Sequence, residues 1–144
     1  MKAVAERLTT IYRSLAEGPM AGLPICNPAL GVAVVGFREF GGEAVGVVLT
    51  PWFLNVAAAP LRPLAAAALG TSRKLILPAG EIELIVGELP GFGRLDAASL
   101  FSPCHEFADM EAALAAAEAA AEALFAVPEA PKLDRRAFLR GARA

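Results

Sequence analysis

The pattern of apolar and polar positions is most uniform between Ala44 and Leu61, where no acidic, basic or metal-ligating side chain interrupts the apolar run. The run from Val45 to Leu49 is rich in β-branched residues, which is typical of a strand buried on both faces. Pro51 has no N–H to donate to a neighbouring strand. We therefore predict that this strand ends at Thr50.

The periodicity of the chain predicts two amphipathic helices and one short helix. The second amphipathic helix, from Asp109 to Phe125, is rich in alanine, which permits close approach to a sheet. Ser102 is a candidate N-cap for this region. The short helix is predicted from Pro63 to Leu69, with Gly70 as its stop. The first helix ends before Gly18-Pro19, and its apolar positions at helical spacing are Val4, Leu8, Ile11 and Leu15.

The remaining elements are predicted strands. A Gly41-Gly42 pair supplies the positive φ angles of a hairpin turn within residues 38–43. Alternation of Glu and apolar residues from Glu81 to Leu84 indicates one solvated face. The predicted strands are Val32–Phe37, Ala44–Thr50, Lys74–Leu77, Glu81–Val86 and Arg94–Phe101. The fold class is therefore predicted to be α+β, with a mostly antiparallel sheet of about five strands packed by an N-terminal helix and a long C-terminal Ala-rich helix.

Charge divides the chain into a body and a tail. We expect a single domain over residues 1–131, followed by a basic tail over residues 132–144. Residues 1–131 contain 8 basic and 14 acidic side chains, whereas residues 132–144 contain 5 basic and 1 acidic side chain. An acidic body argues against nucleic acid as the main partner. Two prolines and Asn55 within the apolar run argue against membrane insertion. Glu6, Arg7 and Arg13 break up the N-terminal segment where an export signal would need an unbroken apolar core, so we expect no export signal there.

Thiol and imidazole chemistry has few candidates. Cys26 and Cys104 lie 78 positions apart, which fits neither a dense disulfide framework nor paired CxxC zinc ligands, so reduced thiols are expected. Adjacent side chains in Cys104-His105-Glu106 point in different directions, so they do not form a catalytic pair by sequence alone. We predict no enzyme activity and no cofactor. The alternative is a small-molecule or metal-binding module that uses Cys104, His105 and Cys26, although zinc usually takes three or four such ligands.

The corner after the buried strand carries Trp52, Phe53 and Asn55. Large aromatic side chains more often pack a core than contact a partner. The indole N–H and the Asn amide both need hydrogen-bond partners if they are buried. The corner is thus interpreted either as a part of the core that fixes its packing or as a docking surface for a partner.

Several segments together resemble a known family. They are LPICNPALGVAVVGF, GVVLTPWFLNVAAAP, GEIELIVGELPGFG, the SLFSPCHEFAD junction and the terminal RRAFLRG. In this order and spacing they resemble the HybE/HupJ-type assembly chaperones of nickel-iron hydrogenases, over a range from about Glu6 to Gly141. Some members of that family carry a fused rubredoxin module, whose paired CxxC ligands are not found here.

The resemblance implies a cytoplasmic, non-catalytic maturation factor. Its partners would be the hydrogenase small-subunit precursor and, as a second client, the large subunit, before twin-arginine export. Partner contacts are then expected at the corner residues Trp52, Phe53 and Asn55, and at Glu88 in the GEL turn.

The tail also enters this interpretation. Residues 134–140, DRRAFLR, resemble a twin-arginine export motif at the wrong end of a chain. They lack the apolar region that must follow such a motif. Arg135, Arg136 and Phe138 are therefore hypothesised to mimic the client's signal, by folding back onto the chaperone's own groove or by reaching a second copy. The simpler interpretation is a solvated basic tail.

Overall fold

The computed structural model describes residues 1–127. Two helices flank an antiparallel sheet, and a two-stranded ribbon connects two of its strands. The elements in chain order are α1 (Lys2–Glu17), β1 (Ala33–Phe40), β2 (Glu43–Leu49), β3 (Leu54–Pro60), β4 (Ser72–Leu77), β5 (Gly80–Ile85), β6 (Glu88–Leu89), β7 (Gly93–Arg94), β8 (Asp96–Phe101) and α2 (Met110–Phe125). Neither described helix is long and apolar enough to cross a membrane.

The main sheet has six strands in the order β1-β2-β3-β8-β5-β4, and all of its pairs are antiparallel. The predicted α+β class is confirmed, with one strand more than the approximate number expected. The prediction that β2 is buried on both faces is also confirmed, since every one of its residues is buried. The predicted boundary between a domain and a tail at residues 131 and 132 lies outside the described residues.

Strand β3 was not predicted. Its sequence, LNVAAAP, is rich in alanine, which is depleted in strands. Tertiary packing overrides this weak preference, because β3 is paired along both edges by β2 and β8, and Ala57 and Ala59 are buried in the core of one face and Ala58 in that of the other. The short helix predicted over residues 63–69 is wrong, since this segment is an exposed loop without helical turns.

Two local predictions also need correction. The hairpin turn is only two residues long, because Phe40 pairs directly with Glu43, and Gly41 and Gly42 have φ angles of 61° and 83°. The β1 strand is accordingly longer than expected, and a bulge at residues 36–37 shifts its register. The N-cap of α2 is Asp109, whose carboxylate accepts a hydrogen bond from the Ala112 N–H at 2.8 Å, and not Ser102.

The two faces of the sheet are covered unequally. On one face, α1 and the β6–β7 ribbon pack on β1, β2 and β3. On the other face, α2 packs on β1 and β2, and its approach is close enough that a Cβ added at Gly36 would lie 2.6 Å from Ala121 Cβ. The alanines of α2 permit this approach, as predicted. The rest of the α1 side of the sheet has no helix over it among residues 1–127.

We call this uncovered area the open face. Paired residues of antiparallel strands share a face, so the register assigns its members. Asn55 pairs with Ser99, Ala97 pairs with Ile85, and Ile76 pairs with Glu81. The open face comprises Asn55, Ser72, Lys74, Ile76, Glu81, Glu83, Ile85, Ala97 and Ser99.

A buried ion network lies where β2 begins. Glu43 and Asp96 are 5% and 1% exposed, and buried carboxylates are costly unless they are paired and hydrogen-bonded. Arg73 reaches both of them, donating from Nε to Asp96 Oδ2 at 2.6 Å and from its terminal nitrogens to Glu43. Arg94 donates to both oxygens of Asp96. The network therefore joins β2, β4 and β8, and Arg94 also anchors the loop at Ala65 O.

The charge of Asp96 makes the stability of the fold depend on pH. Burial alone raises the pKa of Asp96, but hydrogen bonds from Arg94, Arg73 and the Gly87 N–H outweigh it and hold the pKa below its ordinary value. A lowered folded-state pKa adds stability above the unfolded pKa of about 4 and loses it as the pH falls through the folded value. Asp96 thus stabilises the fold at neutral pH and loses this effect in acid.

We predict that Asp96→Asn lowers the free energy of unfolding at pH 7 by on the order of 3 kcal/mol, because it removes the carboxylate that pairs with Arg94 and one of the two that pair with Arg73. The difference from wild type should shrink as the pH falls from about 4 toward the lowered folded-state pKa of Asp96, where the native carboxylate takes up its proton. Urea denaturation at pH 7 and pH 3 measures both values. The control is Glu81→Gln, which removes an exposed pair with Lys74 and should change little. A difference of equal size at both pH values would contradict the network's role.

Candidate functional site

The corner between β2 and β3 is built on Thr50. Its Oγ1 accepts hydrogen bonds from the N–H groups of Trp52 and Phe53, at 3.2 Å and 3.0 Å. Its own N–H donates to Phe53 O at 2.8 Å. Thr50 is fully buried, so these bonds satisfy a polar group inside the core while they turn the chain. The corner is therefore a fixed element from which Trp52 and Phe53 project.

The aromatic rings of the corner pack on α1. Tyr12 contacts Trp52 with ring centroids 6.4 Å apart and Phe53 at 5.7 Å. Trp52 is 8% exposed and belongs to the core cluster under α1, whereas Phe53 is half-buried at its margin. Burial raises the pKa of Tyr12 to about 12. Trp52 thus holds the corner against α1, and Phe53 presents the accessible aromatic surface.

Asn55 lies one position into β3 and points to the open face. Its Oδ1 is buried and accepts no hydrogen bond from any of residues 1–127. An unsatisfied buried acceptor is uncommon and costs free energy. Of the corner residues predicted from the sequence, Asn55 is therefore the one with unused hydrogen-bonding capacity.

Sequence reasoning missed the apolar members of the open face. Ile76 and Ile85 are 63% and 47% exposed. A signal for them exists in the pattern, because Ile85 is in phase with Glu81 and Glu83 on the solvated side of β5, where a polar residue is expected. The predicted solvated face is confirmed, but it combines exposed isoleucines with two carboxylates.

Glu88 lies at the edge of a second surface feature. It is exposed and lines a groove of about 470 Å³ with Leu64, Leu69 and Arg94. Leu69 is 65% exposed and Leu64 is 37% exposed. The groove runs between the loop of residues 61–70 and the ribbon, next to the end of β5 at Ile85. Glu88 and the open face therefore border the same part of the surface.

Asn27 joins three segments at the other end of β2. Its N–H donates to Pro51 O at 2.8 Å. Its Nδ2 donates to the carbonyl oxygens of Cys104 and Phe107, at 3.0 Å and 2.9 Å, and its Oδ1 accepts from the Ala29 N–H. Asn27 is 7% exposed, and both polar atoms of its side chain are hydrogen-bonded. Asn27 is a structural connector that sequence reasoning did not identify.

The residues of the metal-binding alternative do not converge. Cys26 belongs to the core cluster under α1, whereas Cys104 belongs to the cluster under α2, on the opposite face of the sheet. The Cys104 thiol is fully buried, and burial, followed by the charge of Glu106, raises its pKa to about 11. His105 is exposed. Within residues 1–127, no group of three or more His, Cys, Asp or Glu side chains is placed to hold a metal ion.

The tail residues Arg135, Arg136 and Phe138 lie outside the described residues. Their role in partner binding stays a prediction. The same holds for Trp52, Phe53, Asn55 and Glu88, for which the structure gives location and exposure.

Comparisons with known proteins agree with this fold over nearly the whole chain. The family described as "[NiFe]-hydrogenase assembly, chaperone, HybE" matches residues 3–141. The hydrogenase expression/formation protein HupJ of Bradyrhizobium diazoefficiens is 45% identical, covering 96% of this chain and 88% of the relative. HupT of Azotobacter chroococcum is 38% identical, covering 95% and 94%. The solution structure of HybE from Escherichia coli superimposes with a TM-score of 0.69 at 26% identity, covering 98% of this chain and 91% of that one.

The two cysteines should differ in reactivity. We predict that iodoacetamide at pH 8 alkylates Cys26 at least about tenfold faster than Cys104 in the folded protein, because a thiol with a pKa near 11 is about one-thousandth ionised at that pH. Peptide mapping by mass spectrometry measures both rates, and the urea-unfolded chain, in which the rates should converge, is the control. Equal rates in the folded protein would contradict the burial of Cys104 and would favour the thiol-based alternative.

Proposed function

Because the chain belongs to the HybE family of nickel-iron hydrogenase assembly chaperones, we propose that it binds the small-subunit precursor of a hydrogenase in the cytoplasm before twin-arginine export. The large subunit is a second client. The match over residues 3–141 carries this proposal, since it covers both helices, every strand and most of the tail. In this proposal the protein acts by binding and not by catalysis.

The open face supports this proposal as the client surface. Exposed large apolar side chains grouped on a sheet mark candidate interaction sites, and Ile76 and Ile85 have the carboxylates of Glu81 and Glu83 beside them. A twin-arginine signal combines guanidinium groups with apolar side chains. Guanidinium groups favour bidentate contacts with carboxylates. The open face therefore offers both kinds of contact that such a signal needs, with the signal's guanidinium groups displacing Lys74 from Glu81.

The corner and the GEL turn border this surface in the proposal. Phe53 supplies half-buried aromatic area at the margin of the open face. Asn55 Oδ1, which is buried, accepts a hydrogen bond from the client once client binding makes this atom accessible. Trp52 acts indirectly, because its indole packs on Tyr12 and fixes the corner. Glu88 extends the acidic border beyond β5. The proposed mechanism is shielding, in which the covered signal is withheld from export until the subunit is assembled.

The proposal is tested by co-expressing tagged chaperone with a small-subunit precursor and measuring the precursor recovered. We expect Ile85→Arg, and separately Glu81→Lys with Glu83→Lys, to lower recovery at least about tenfold, because each places positive charge where the signal's arginines bind. The matched control for the double variant is Glu118→Lys with Glu122→Lys, which makes the same charge change on exposed positions of α2. Circular dichroism melting checks that each variant is folded.

A second arm replaces the two signal arginines of the precursor with lysines. The lysine precursor should be recovered less, since lysine lacks the bidentate geometry. Equal recovery with every open-face variant would reject this surface as the client site. Retained binding of a mature subunit without its signal would assign the contact to the folded client.

A further inference from the structure

A cleft opens on the α2 side of the sheet, opposite the open face. Strands β5 and β8 share a single ladder pair, Ile85 with Ala97, and separate beyond it. The flank of α2 forms the third wall, and the space is about 300 Å³. Its lining is mostly apolar and includes Val56, Leu77, Ile82, Leu100, Ala123 and Leu124.

The walls of this cleft include free strand edges. Strand β8 pairs with β3 along its other edge as far as Phe101, and β5 pairs with β4 from Gly80 onward. Over residues 98–101 and 80–83, the edges that face each other have no strand partner among residues 1–127. Unpaired edges are templates for an added extended segment. The cleft therefore has the hydrogen-bonding capacity of a strand-binding site with an apolar floor.

The chain's own C-terminal segment has the length and position to occupy it. The described chain ends at Val127, two residues beyond α2, and Leu124 of α2 lines the cleft. The eight residue-to-residue steps from 127 to 135 span up to about 26 Å when extended. The chain up to residue 135 is therefore long enough for a segment that starts there to reach the cleft.

Charge favours the same occupant. Residues 1–127 carry 8 basic and 13 acidic side chains, whereas residues 128–144 carry 5 basic and 2 acidic ones. The last turn of α2 contains no basic side chain, although the C-terminal end of a helix attracts cations.

We propose that residues 135–140 dock in this cleft as an extended strand of the same chain. Side chains alternate along a strand, so placing Phe138 on the apolar floor puts Arg136 and Arg140 on the same side, toward the end of α2. This docking is separate from client binding, because the cleft lies on the α2 side of the sheet and the open face on its other side, and Glu81, which borders both, takes no part in the docking. A failure of one proposal therefore leaves the other standing.

Hydrogen exchange of the full-length chain, read by mass spectrometry, tests the docking. In the wild type, amides of residues 98–101 should be protected. Phe138→Ser should raise their exchange rates at least about tenfold while the amides of β2 stay unchanged. Ala142→Ser is the matched tail control and should leave residues 98–101 protected.

A second pair of variants tests the cleft from its own side. Ala123→Lys places bulk and positive charge on the cleft wall and should release the tail, whereas Ala115→Lys makes the same change on an exposed position of α2 outside the cleft. Exchange at residues 98–101 that is fast in the wild type, or unchanged by Phe138→Ser, would overturn the proposal. Protection that is lost on roughly hundredfold dilution would assign the occupant to a second copy and would overturn docking within one chain.

Discussion

Burial of β2 on both faces is the constraint on which the rest of the structure depends. A strand without a solvated side needs a layer on each face, and α1 and α2 supply these layers. At both ends of β2, buried polar side chains must also find hydrogen-bond partners inside the core. At the start, Glu43 is paired with Arg73. At the far end, the Thr50 hydroxyl accepts a hydrogen bond from the Trp52 N–H at the corner. Because both helices pack over β2, strands β8, β5 and β4 have no helix on the open face, and the cleft between β5 and β8 opens on their other side.

The segments that carry the family resemblance meet at the far end of β2. Asn27 of the CNP loop binds Pro51 of the TPW corner and the carbonyl oxygens of Cys104 and Phe107 in the SPCHEF junction. Three motifs that are far apart in sequence are thus one junction in space. Their shared role is to fix the corner and the start of the α2 segment. The surfaces with free apolar area and free strand edges lie elsewhere, on β4, β5 and β8.

Local signals predicted much of this fold and tertiary signals were missed. The double burial of β2, the Gly41-Gly42 turn and the face of α2 follow from periodicity and residue type, which act over a few positions. Strand β3 was missed because alanine is depleted in strands, and its pairing with β2 and β8 along both edges is a tertiary feature that no local pattern shows. The pairing of Arg73 with Glu43 and Asp96 spans 30 and 23 positions and was likewise invisible.

The candidate site shows the same division. Trp52, Phe53 and Asn55 were selected as unusual residues on a corner, and the structure distinguishes a packed indole, a half-buried ring and an amide with an unused acceptor. Ile76 and Ile85 were overlooked because isoleucine in a strand is taken as core. Only the register, which sets Ile85 in phase with two glutamates, reveals it as surface.

The central claim is that the open face recognises the paired arginines of the client's signal. Chemical-shift mapping of the isotope-labelled chain, titrated with a small-subunit signal peptide and with its lysine-pair counterpart, tests it most directly. The account predicts that the arginine peptide perturbs the amides of Asn55, Ile76, Glu83, Ile85 and Ser99, and that the lysine peptide does so only weakly. Perturbations confined to α1 or α2, or equal responses to both peptides, would contradict it.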